Sequence, residues 1–66
     1  MPAYHIKYIN SDGETQKNET IFMKGLTGAK RSAVEQSNEF TATIEIRDLL
    51  DKVVARKVEG RWEKIN

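Results

Sequence analysis

Apolar and polar positions alternate with a period of two along most of this chain, and one stretch breaks into helical spacing. From Tyr4 to Asn10, Tyr4, Ile6 and Tyr8 share one face while His5 and Lys7 share the other, which predicts a strand. Asn10-Ser-Asp-Gly-Glu14 reads as a turn, with Asp12-Gly13 a strong hairpin signal. Thr15 to Met23 returns as a second strand, polar at first and apolar at Ile21-Phe22-Met23, until Lys24-Gly25 breaks it. Over Leu26 to Gln36 the spacing changes. At about 100° per residue, Leu26, Ala29, Ala33 and Val34 form one apolar arc opposite Arg31 and Glu35. This predicts a helix from about Gly28 to Gln36, N-capped by Thr27, with small alanines facing a sheet. Lys30 falls at the edge of the arc, where its stem packs and its ammonium reaches water. So short a helix is unstable alone and must lean on the strands.

Ser37-Asn38 ends the helical period, and Asn38 suits a left-handed C-terminal cap. Phe40 to Arg47 then alternates most cleanly, with Phe40, Ala42, Ile44 and Ile46 inward and Thr41, Thr43, Glu45 and Arg47 outward. Asp48-Leu-Leu-Asp51 reverses the chain, Lys52 to Val58 returns, Glu59-Gly60 turns again, and Arg61 to Ile65 closes as a short last strand. A second helix across Ile46–Val58 competes with this reading, because Leu49, Leu50, Val53, Val54 and Lys57 also recur at helical spacing. Val53-Val54 and the Glu59-Gly60 turn favour strands. The expected fold class is α+β, a single antiparallel sheet of about five strands with one α-helix on one face, in the order ββαβββ.

Composition narrows the picture without naming an activity. Sixty-six residues make a single small domain, 1–66, near the lower limit for folding without staples. The chain has no Cys, which excludes disulfides and thiolate metal sites. No apolar run reaches the roughly 20 residues of a membrane span, and no signal peptide is visible, so a cytoplasmic location is expected. The net charge of +1 excludes a strongly acidic DNA mimic and does not by itself announce a nucleic-acid binder.

Candidate chemistry is sparse. His5, the single histidine, lies on the polar face of a strand, and no nucleophile–base pair, Gly-rich phosphate loop or metal-ligand spacing accompanies it. Ser11, Asp12, Asp48 and Asp51 sit in turns, where their usual task is to bond local backbone. Neither an enzyme nor a cofactor, metal or small-molecule substrate is expected. Lys30, Arg31, Arg56, Lys57 and Arg61 form a phosphate-binding patch if the fold brings them together, and an ordinary solvated surface offset by Glu35, Glu59 and Glu63 if it does not. Trp62 is expected in the core, and Leu49-Leu50 is either a cap folded back on that core or a contact surface.

The hairpin beginning at Tyr4, the run Leu26-Thr-Gly-Ala-Lys-Arg-Ser-Ala33, the strand Thr41-Ala-Thr-Ile44 and the terminal Lys57-Val-Glu-Gly-Arg-Trp62 together resemble a family of phage-encoded anti-CRISPR proteins. These are very small inhibitors of the type I-F Cascade (Csy) surveillance complex. The resemblance spans most of the chain and is strongest over the helix and the last turn. It implies a sheet with one helix, no catalysis and no cofactor. It also implies docking on the repeated backbone subunits of Cascade in the host cytoplasm, which blocks target DNA hybridisation. A basic face is further implied to capture duplex DNA without sequence preference. Carried over by position, Tyr4, Leu26, Lys30 and Arg31 fall at partner-binding positions, and Lys30, Arg31, Lys57 and Arg61 at DNA-binding ones. The chain departs from the pattern at Glu35, near a position where the family carries lysine. Two other readings stand beside this one: a small nucleic-acid-binding module, and a phage structural or interaction protein unrelated to CRISPR.

Overall fold

The computed structural model describes residues 2–63. Its elements are β1 (Ala3–Asn10), β2 (Thr15–Phe22), α1 (Leu26–Gln36), β3 (Thr41–Arg47), β4 (Val53–Val58) and β5 (Arg61–Trp62). All strands pair antiparallel in one five-stranded sheet of order β2-β1-β3-β4-β5. The α+β fold expected from the sequence is the fold observed, and Ile46–Val58 is a hairpin rather than a second helix. Of the expected last strand, Lys64 and Ile65 lie outside the described residues.

The alternation places the core. On the face that carries α1, Ile6, Ile46 and Ala55 stand side by side across β1, β3 and β4, and Tyr8 stands beside Ile44 in the next row. Ala29 and Ala33 close this layer from above, both fully buried. With a methyl group as the only side chain at these two positions, the helix axis can approach the sheet closely. The helix lies over β3 and β4 and leaves β2 as a free edge.

Several local expectations are corrected. The helix begins at Leu26, its N-cap is Gly25 in extended conformation, and no side chain caps it; Thr27 is therefore inside the first turn. Asn38 adopts no left-handed conformation, and the C-cap is Ser37, whose amide and hydroxyl both donate to the Val34 carbonyl. Asn38 instead organises the next turn, its side-chain oxygen accepting from the Phe40 amide at 2.8 Å. That turn removes Phe40 from β3 and leaves it exposed rather than inward. Val34 is also exposed, because only the alanine side of the arc meets the sheet.

Two of the reversals are built alike. In one, the Asn10 side-chain oxygen accepts from the amides of Asp12 and Glu14, at 3.0 and 2.9 Å. In the other, an Asp48 carboxylate oxygen accepts from Leu50 and Lys52, at 2.9 and 3.0 Å. Each also has an amide, Gly13 or Asp51, donating to the first residue's carbonyl at 3.0 Å. The fourth position is left-handed in both, glycine in the first (Gly13, φ 84°) and aspartate in the second (Asp51, φ 62°). The last reversal, Glu59-Gly60, is a two-residue turn with positive φ at both positions, the type I′ pattern whose twist suits a hairpin.

Candidate functional site

One row of side chains crosses all five strands on the helix face: Lys17, Tyr8, Ile44, Lys57 and Trp62. Tyr8, second in the row, is 1% exposed, so its hydroxyl needs a protein partner and donates to Glu19. The Lys17 ammonium lies 4.9 Å from the centroid of the Tyr8 ring. Burial first, then the hydrogen bond to Glu19 and that carboxylate's charge, hold the Tyr8 hydroxyl above its ordinary pKa of 10.

At the other end of the row, β5 sets Trp62 beside Lys57. The Lys57 ammonium lies 5.9 Å from the indole centroid, and Lys30, reaching over from α1, lies at 5.2 Å. Both are within cation–π range. The helix, the fourth strand and the last turn thus bring two of the predicted DNA-binding residues to one aromatic ring. Trp62 is half-buried, packed partly on the core and partly serving as this seat.

The other predicted residues are placed differently. Arg61 pairs with Val58, next to the Lys57–Trp62 pair, so it projects from the opposite face of the sheet. Arg31 is exposed on α1. Arg56 faces away from the helix and is occupied by Glu45 and Glu63, each at 3.7 Å. Glu35 and Glu59 enter no ion pair among the described residues. Tyr4 and Leu26, two of the four predicted partner-binding residues beside Lys30 and Arg31, are half-buried and pack against the core cluster with Ile21 and Met23.

Sequence reasoning missed the network on the open face. Glu45 is 7% exposed although no helix covers it. Lys7 and Arg56 flank it on the neighbouring strands, and Arg47 donates from Nε to one of its oxygens at 2.8 Å. Arg47 also reaches the Asp51 carbonyl at 3.0 Å and its carboxylate at 3.6 Å. Strand alternation puts all four charges on one face, but their adjacency depends on register, which alternation does not contain. A shallow depression of about 650 Å³ lies beside this network, lined by His5, Lys7, Asn18, Thr20, Arg47 and Asp51 among others. His5 Nδ1 and Thr20 Oγ1 pair across the strands at 2.9 Å, both exposed. No three potential metal ligands cluster among the described residues. Nor is any described helix long and apolar enough to cross a membrane.

The architecture defines a class: a small α+β module with one sheet face under a helix and the other open. Comparison of the chain with protein-family models, curated proteins and solved structures finds no match.

Proposed function

We propose that this chain is an anti-CRISPR protein of the small type I-F Cascade inhibitor kind. In this reading it is non-enzymatic, acts in the host cytoplasm, docks on the backbone subunits of the surveillance complex and blocks target DNA hybridisation. It also captures duplex DNA non-specifically through its cations. The sequence resemblance supports the reading, and the helix on a sheet is the architecture that the resemblance implies. The structural observation that supports its DNA-capture part is the convergence of Lys30 and Lys57 on Trp62. Two like charges on one half-buried ring repel each other, and a phosphate placed near both relieves that repulsion while releasing counterions from the DNA.

The test is to add purified protein to assembled type I-F Cascade and measure binding of matched target DNA. A stable complex with loss of target hybridisation is expected. Unchanged target binding refutes the proposal. Tight binding to free duplex at physiological salt, without Cascade, would identify an independent nucleic-acid-binding module instead.

A further inference from the structure

The hairpin tip between β3 and β4 carries two leucines into solvent, Leu49 at 65% and Leu50 at 88% exposure. Neither folds back onto the core cluster. The tip is not loose, because Asp48 binds the Leu50 and Lys52 amides and Arg47 clamps Asp51 through its carbonyl and carboxylate. The molecule contains its own control. The turn at Asn10 has the same hydrogen bonds, the same left-handed fourth position, and Ser11-Asp12 at the positions of Leu49-Leu50. Turn geometry therefore does not call for leucine, and polar residues serve it equally well. Two large apolar side chains thus point largely into solvent from a hydrogen-bonded turn that polar residues can build.

We infer that the Leu49-Leu50 tip is a preformed docking knob that enters an apolar pocket on a partner protein. Resting on the reading above, that partner is the Cascade backbone. A second copy of this chain is a poor host, since the depressions formed by its described residues are lined mostly by polar groups, such as His5, Lys7, Asn18 and Thr20, or Gln16, Gln36 and Asn38. A lipid bilayer is also a poor host, because the exposed Asp51 carboxylate would be carried in with the leucines, whereas a protein pocket can leave it at the rim.

Charge placement agrees with this partner. At the tip, Arg47 and Lys52 balance Asp48 and Asp51. Lys57 and its seat on Trp62 lie farther along β4, roughly 13 Å beyond Val53. A surface built to hold nucleic acid is basic, so it accepts a neutral tip and repels the lysine pair. Phe22 is exposed at this same end of the sheet, because Ala3 pairs with Phe22 and His5 with Arg47.

The sister turn supplies the test. Leu49→Ser with Leu50→Asp installs the pair that the Asn10 turn already carries, and Leu49→Ser with Leu50→Asn does so without adding charge. Wild type and both variants are titrated into assembled type I-F Cascade, with thermal unfolding and sedimentation of each protein alone. We expect both variants to keep the wild-type Tm and to bind at least about tenfold more weakly. If wild type binds and the variants match it, the knob is refuted while the proposed function stands. Weakening in the Asp variant alone refutes it too, since charge is then the cause. Wild-type dimers that the variants abolish would make a second copy the occupant and overturn the inference. If wild type does not bind Cascade at all, the functional proposal falls and this inference falls with it.

Discussion

Tyr8 shows how one side chain couples packing to pH. It is the largest of the fully buried side chains, and its hydroxyl is tied to Glu19. Its folded-state pKa lies above its ordinary value of 10, so the folded state holds this proton more tightly than the unfolded one. The stabilisation is complete below pH 10 and is lost as pH rises from 10 towards the folded-state value. Tyr8→Phe keeps the ring and removes the titration. We expect it to lower stability at pH 7 by about 1–2 kcal/mol through the unpartnered Glu19. In urea titrations at pH 8, 10 and 11, its alkaline loss of stability should be shallower than that of wild type. Equal slopes would show that Tyr8 does not contribute to the alkaline transition.

At the scale of elements, what the sequence disclosed and what it hid have separate causes. Strands were legible because a half-buried sheet imposes a period of two, and Ile6, Tyr8, Ile44 and Ile46 obey it. Ends were less legible, because caps depend on where the backbone leaves the sheet. Gly25 is the helix N-cap although Thr27 has the better capping side chain, since half-buried Leu26 packs on the core and draws the preceding turn into the helix. Phe40 alternates correctly yet sits in the Asn38 turn, where a side-chain hydrogen bond overrides the pattern. The lysine pair was only partly legible: both residues stood out by type, whereas their shared ring depends on the β4–β5 register.

Two predictions belong to the same scale. Ala33→Asp puts a carboxylate into the fully buried helix–sheet contact, where it has neither room nor partner. A loss of several kcal/mol is expected, enough to unfold most of a domain this small, and circular dichroism at 25 °C would read it. Glu59 sits at φ 50°, a conformation costly for glutamate and tolerated by asparagine. Glu59→Asn should stabilise by about 0.5–1 kcal/mol and raise Tm by roughly 2–8 °C. No rise in a thermal melt would show that the turn carries little strain.

Over the whole molecule, the apolar tip and the lysine pair lie apart on a sheet that fixes their separation. This geometry predicts that the two activities come apart under mutation. Lys30→Gln with Lys57→Gln should weaken non-specific DNA capture by the inhibited complex and reduce the slope of log affinity against log salt by about 2. Block of specific target binding should persist, because neither side chain is at the tip. Duplex binding across a salt series, run beside a target-binding assay, reads both effects. Loss of both together would mean that the lysines belong to the docking surface.

The strand order also governs how the chain reaches this shape. Neighbouring pairs β1–β2, β3–β4 and β4–β5 are hairpins that close over short turns, but β1–β3 joins segments separated by all of β2 and α1. Closing that long loop costs entropy before Ile6 meets Ile46 or Tyr8 meets Ile44, so it is the slow step expected of the fold. In synthesis the first hairpin is made before β3, so the apolar faces of Ile6 and Tyr8 stay uncovered until β3 and α1 arrive. The lysine, glutamate and asparagine of β2 guard that interval: they keep the early hairpin soluble and its outer edge unattractive to other nascent chains.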